Sequence, residues 1–155
     1  MALPDLMPLQ GEWADYVEAI YQIYVEQVAN GGLTFNSLRV TCQFRPESQG
    51  KHFGFWHVIS EGELEDNRLP DLRRCERITW IAYLIVNIET DTEVSWWENK
   101  RGRDTHTVIW HEAENFVVIL AKRNGYYLLK TAYCPQSGRV KSFKKERYNY
   151  WKQKG

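Results

Sequence analysis

The amino-acid sequence predicts an α+β domain in which helices come first, a four-stranded antiparallel sheet follows, and a short basic helix closes the chain. Three observations carry this reading. Apolar residues recur at three- and four-residue steps over residues 12–30 and again over 72–88, the period changes to two from Glu93 onward, and Asn124-Gly125 supplies a strong hairpin signal between two of the alternating segments. At 155 residues the chain can bury one real core and is short for two. Residues 1–155 are therefore read as a single domain, with a helix and strand in 1–50 and the functional core in 51–155.

The elements follow in order. Trp13, Tyr16, Val17, Ile20, Ile23, Tyr24 and Val28 share one helical face between Glu12 and Asn30, and Gly31-Gly32 ends that helix. Leu38, Val40, Cys42 and Phe44 alternate with Arg39, Thr41 and Gln43, the period of a half-buried strand, before Pro46–Gly50 interrupts it. Leu69-Pro70-Asp71 places a proline where a helix can begin, and Leu72, Cys75, Ile78, Trp80, Ile81, Leu84, Ile85 and Ile88 continue at mostly helical spacing. Four alternating segments, 93–99, 105–112, 115–121 and 126–133, are joined by short turns and predict an antiparallel meander. Beyond Pro135 and Gly138, the aromatic residues Phe143, Tyr148 and Trp151 recur among Lys and Arg, as in a short basic helix packing one aromatic edge.

Charge is balanced in total, with 20 acidic and 20 basic residues, and segregated along the chain. Residues 1–35 carry Asp5, Glu12, Asp15, Glu18 and Glu26 with no Lys or Arg, whereas residues 121–155 carry ten Lys or Arg against the single acid Glu146. The basic end points to an anionic partner; mutual neutralisation of the two ends across the fold is the alternative. No apolar run approaches the roughly 18–20 residues of a membrane span and the first residues lack the basic start of a signal peptide, so a cytoplasmic protein without membrane contact is expected. Cys42, Cys75 and Cys134 are odd in number and far apart, which suits reduced thiols better than a disulfide framework or a metal knuckle.

Three constellations can carry chemistry. Lys51, His52 and His57 stand among Phe53, Phe55 and Trp56, a composition that can move protons, meet phosphate and stack on bases; equally, the rings can be core and the histidines structural. The two histidines lack the spacing of a zinc pair on one helix. Arg73, Arg74 and Arg77 offer guanidinium forks that fit phosphate oxygens, or else a solvated face with Glu76 paired to a neighbour. Thr131 and Tyr133 share one face of the last strand, and Lys144 and Lys145 lie in the basic tail behind it. His106 and His111 fall on opposite sides of their strand and are read as structural or solvent-exposed. Phosphate-binding loops, H-E-x-x-H and nucleophile elbows are missing from the sequence, so His, Arg, Lys, Thr and Tyr form the usable inventory.

The order of these features, His-Phe-x-x-x-His, then Pro-Asp-Leu-x-Arg-x-x-Arg-Ile-x-Trp, then a meander ending in Thr-Ala-Tyr and a basic helix, resembles the barnase, EndoU, colicin and RelE-like ribonuclease group, in particular its phage- and toxin-associated branch. The resemblance covers residues 51–150. It implies helices ahead of a four-stranded antiparallel sheet, and RNA cleavage by 2'-hydroxyl transesterification to a cyclic phosphate, with no metal or other cofactor. It further implies His57 or His52 as the proton-transfer group, Arg74 and Arg77 on the phosphate, Thr131 and Tyr133 as polar contacts from the sheet, and Lys51, Lys144 or Lys145 on the RNA. An antitoxin or immunity protein would be a second partner. Cys134-Pro135-Gln136-Ser137-Gly138 departs from the pattern, since relatives often carry a further His or Arg there. The rival readings are an RNA-binding module without chemistry and an interaction protein without nuclease activity.

Overall fold

The computed structural model describes residues 2–62 and 68–155. The first helix, α1 (Trp13–Tyr24), buries Tyr16, Val17, Ile20 and Tyr24 along one stripe, as the apolar spacing dictates. It loosens into a π-helical turn, Val25–Ala29, in which the Asn30 amide donates to the Val25 carbonyl at 2.8 Å and Val28 is buried. Glycine is obligatory just beyond: a Cβ at Gly31 would lie 1.9 Å from the Gln27 carbonyl oxygen.

The chain then forms β1 (Thr34–Phe35) and β2 (Leu38–Thr41), a tight antiparallel hairpin, before α2 (Phe53–Ile59). A two-stranded ribbon of β3 (Ser60–Glu61) and β4 (Leu69–Pro70) leads to α3 (Leu72–Cys75) and α4 (Ile78–Val86). The meander follows as β5 (Val94–Arg101), β6 (Asp104–His111), β7 (Phe116–Lys122) and β8 (Tyr126–Tyr133), and α5 (Ser137–Lys154) ends the fold.

Three corrections to the expected architecture follow. The sheet is six-stranded and mixed, in the order β1-β2-β8-β7-β6-β5, with β2 parallel to β8; the meander is its larger part and not the whole of it. β1 and β2 also fall between helices, so five helices are distributed along the chain rather than gathered ahead of the sheet, and the RelE/barnase-like order does not hold. The single helix expected over 72–88 is two: Pro70 belongs to the ribbon, Asp71 caps α3 by accepting from the Arg73 amide at 3.0 Å, and the chain breaks at Glu76–Arg77 before α4 begins. The last helix is also long, 18 residues, because nothing after Gly138 interrupts a run of good helix formers.

Each face of the sheet has its own core. On one, α1, α2 and α4 pack Ile20, Tyr24, Phe55, Ile59, Ile81 and Leu84 against Ile109, Val118, Leu120 and Leu129. On the other, α5 lays Phe143 over Trp97, Val108, Trp110, Val117 and Ile119. Helix α2 is packed tightly at Gly54, where a Cβ would stand 2.8 Å from the Tyr24 hydroxyl and 3.0 Å from the Gln43 carbonyl oxygen. Alanine is intrinsically better than glycine in a helix by about 1 kcal/mol. Overpacking here costs about 1–3 kcal/mol and meets a fixed backbone and a buried ring. Gly54→Ala is therefore expected to be net destabilising, with a lower midpoint in urea unfolding; an unchanged or higher midpoint would show that α2 has room to move.

Candidate functional site along β8

Helix α2 divides the Lys51–His57 constellation. Five residues separate its histidines, a rotation of about 140° around the helix axis, so they serve different surroundings. His52, at the helix start, packs edge-on against Phe44 at 4.6 Å and Tyr21 at 5.7 Å. Its Nδ1 is buried with no hydrogen-bond partner among the described residues. Lys51 turns the same way, its Nζ 3.0 Å from Glu18 on α1 and 5.4 Å from the Tyr21 ring. These two residues fasten α2 to α1.

His57 lies on the other side. It borders a cleft of about 350 Å³ formed by Pro46–Gln49, Phe53, Trp56, Ser60, Arg68 and Pro70. The cleft's outer loop is held by a bond from Trp56 Nε1 to the Ser48 carbonyl at 2.9 Å and by reciprocal backbone bonds between Ser48 and Lys51 at 3.0 Å.

Two arginines meet on Ser60, which lines this cleft. Arg68 donates to the carbonyls of His57 at 2.9 Å and Gly62 at 2.8 Å, and also to that of Ser60. Arg74 donates to the same Ser60 carbonyl, and its Nε is 3.5 Å from Asp71. Its guanidinium covers the ring of Tyr133 at 5.5 Å. Burial, and then the neighbouring charge of Arg68, lower the Arg74 pKa, with Asp71, Glu61 and Tyr133 opposing. A desolvated cation facing another is a position that a bound anion stabilises. Arg77, by contrast, pairs with Glu76 at 3.0 Å, covers Trp80 at 4.9 Å and borders a separate groove with Asp91, Glu93, His111 and Glu114. It is not brought to His57.

The orientation of β8 depends on one irregularity. Leu120 pairs with Leu129 but Ile119 pairs with Thr131, so a bulge at Lys130 shifts the alternation. Thr131 and Tyr133 consequently share the α5 side of the sheet, as their spacing predicts, with Thr131 in register with Ile119 and Val108 and Tyr133 with Val117 and Trp110. Tyr133 reaches Arg74 near the end of the strand; Thr131 stays half-buried beside the α5 core. On α5, Lys144 is 3.8 Å from Glu112 and Lys145 is exposed.

Of the expected residues, His57 lines the cleft, while Arg74 and Tyr133 meet outside its lining and are linked to it through the Ser60 carbonyl, which Arg74 shares with Arg68. Neither Arg68 nor the Ser60 carbonyl had a sequence signal, because Arg68 acts through backbone oxygens and stands outside any periodic segment. His106, read as structural or exposed, is half-buried 3.8 Å from Asp104. Its pKa is lowered by burial first, with Lys130, Arg101 and Arg123 adding to this and Asp104 opposing.

All three cysteines are free, Cys42 and Cys75 being buried; burial raises each thiol pKa, that of Cys75 to about 12. Among the described residues, no three His, Cys, Asp or Glu side chains group to hold a metal ion, and no helix is long and apolar enough to cross a membrane.

A part-buried cluster at Asp91 has a measurable consequence. The Tyr83 hydroxyl donates to Asp91 at 2.6 Å and the Glu93 amide donates at 2.9 Å, and these bonds hold the Asp91 carboxyl below the usual carboxylate range. A depressed folded-state pKa contributes stability above the unfolded value, near 3.9, that is lost as pH falls through the folded value. Asp91→Asn is therefore expected to lower the Tm at neutral pH, and the gap from wild type should close below about pH 4. A gap that stays constant with pH would remove Asp91 from the acid limb.

With this geometry established, comparison with known proteins adds nothing further: no family model, curated protein or solved structure matches the chain.

Proposed function

We propose that the protein is an endoribonuclease that cuts RNA by transesterification in the cleft between the Pro46–Gln49 loop, α2 and the β3–β4 ribbon. The observation that supports this reading is the convergence of the His57 cleft and the guanidinium groups of Arg68 and Arg74 on the single carbonyl of Ser60. An imidazole supplies a proton carrier that works near neutrality, and paired guanidinium forks match phosphate oxygens. RNA brings its own nucleophile. The 2'-oxygen forms a bond to phosphorus as its proton passes to a base, the bond to the 5'-oxygen breaks, and the leaving oxygen takes up a proton. His57 performs one of these transfers, while Arg74 and Arg68 hold the charge that develops on the phosphate. Tyr133 keeps Arg74 aligned through its ring.

The test is incubation of purified protein with end-labelled RNA in EDTA. Fragments ending in a 2',3'-cyclic phosphate are expected. Tight binding that leaves the RNA intact would favour a non-catalytic RNA-binding module, and no binding at low salt would favour an interaction protein.

A further inference from the structure

The basic helix α5 carries a surface that the cleft does not use. Lys144, Tyr148, Trp151 and Lys152 stand at positions i, i+4, i+7 and i+8, one continuous stripe of the helix, and border a shallow concavity together with Arg147. Tyr148 is 64% exposed and Trp151 42% exposed, an unusual placement for two large rings beside each other. We infer that this stripe is a stacking platform for single-stranded RNA, with Tyr148 and the exposed part of Trp151 meeting bases and Lys144 and Lys152 meeting phosphates. The inference rests on the ribonuclease reading and names a second contact for the same substrate.

Charge commits the platform to an anion. The one carboxylate of α5, Glu146, is turned to the sheet, where it accepts from Trp97 Nε1 at 3.0 Å and lies 3.9 Å from Arg101. The exposed side of the helix is left with cations alone. Glu112 meets Arg147 at 3.0 Å and Lys144 at 3.8 Å, and this one half-exposed carboxylate offsets only part of the charge that Lys144, Arg147 and Lys152 bring to the stripe.

The rings favour RNA over an acidic protein. Lysines alone would satisfy carboxylates, whereas flat faces between ammonium groups match alternating bases and phosphates. Trp151 is already fixed, its Nε1 donating to the Trp96 carbonyl at 2.7 Å and its ring edge-on to Trp96 at 5.0 Å, so binding there orders little that is not already ordered. Tyr148 stands eleven residues along the helix from Ser137, roughly 16 Å at 1.5 Å per residue, and a strand must extend well beyond the scissile bond to use it.

The test uses full-length protein and a single-stranded oligonucleotide of roughly twelve residues, within the span of single-strand sites, with 2'-O-methyl groups that block cleavage. Fluorescence anisotropy should show Tyr148→Ala binding about 5- to 100-fold more weakly, Tyr148→Phe binding like wild type, and Lys152→Gln reducing the slope of log affinity against log salt by about 0.7. Tyr148→Ala should still cut a dinucleotide at the wild-type rate. Unchanged oligonucleotide affinity in Tyr148→Ala, or displacement of the RNA by polyglutamate at equal charge, overturns the platform. Wild-type protein that binds through Tyr148 but cuts no RNA overturns the ribonuclease reading and leaves the platform standing.

Discussion

Replacing His57 with alanine is expected to slow RNA cleavage by roughly one hundred- to ten-thousand-fold, the usual worth of a positioned proton carrier. Binding of uncleavable RNA should be nearly unchanged, since the proposed phosphate contacts belong to Arg68, Arg74 and the α5 lysines rather than to His57. His52→Ala supplies the contrast. That ring is packed among Phe44, Tyr21 and Tyr24, so its loss should show in the melting temperature, with cleavage per folded molecule preserved. Gel assays of both variants at matched folded concentration decide between them. Full activity in His57→Ala would remove that residue from the mechanism, and selective inactivation in His52→Ala would transfer the role across the helix.

The second large effect concerns stability. Phe143 is the only fully buried residue of α5 and sits 5.4 Å from Trp97 and 5.8 Å from Trp110. Phe143→Ala is expected to cost about 3–5 kcal/mol, equivalent to a fall in Tm of roughly 6–20 °C for a chain of this size. Because one ring holds the centre of an otherwise polar helix, the loss should be local before it is global. Hydrogen exchange should quicken along α5 at temperatures where β7 stays protected. A Tm within about 2 °C of wild type would mean that the rest of the helix docks without its anchor.

What the sequence disclosed depended on the range of the forces involved. The α1 stripe and the four strands of the meander were legible because each is fixed by local periodicity and short turns, and Asn124-Gly125 joins β7 to β8 as its chemistry requires. The break between α3 and α4 was hidden because Leu72, Cys75 and Ile78 keep helical spacing straight through it. The pairing of β2 with β8 was hidden for a different reason: Arg39, Val40 and Thr41 carry no mark of a partner some 87 positions away.

Tyr133 and Arg74 were singled out by residue type as separate substrate contacts, and the contact between them was not foreseen because it joins α3 to the end of β8. Lys51 and His52 stand apart from His57 because a cluster in sequence is not a cluster in space when a helix turns its members to different sides. Their partners Glu18 and Tyr21 lie on an element that no motif connected to them.

The parallel pairing of Arg39–Thr41 with Tyr126–Leu128 also sets a schedule. During synthesis the β1–β2 hairpin and the loop that walls the His57 cleft emerge well ahead of the strand that anchors them, which lies some 87 positions further along. Non-local pairing of this kind cannot be rewarded until both strands exist. A nascent chain therefore carries His57 on an unanchored wall until β8 has been made. If the cleft cuts RNA, the topology delays its assembly beside the ribosome until β8 has emerged, a safeguard written into strand order and independent of any partner.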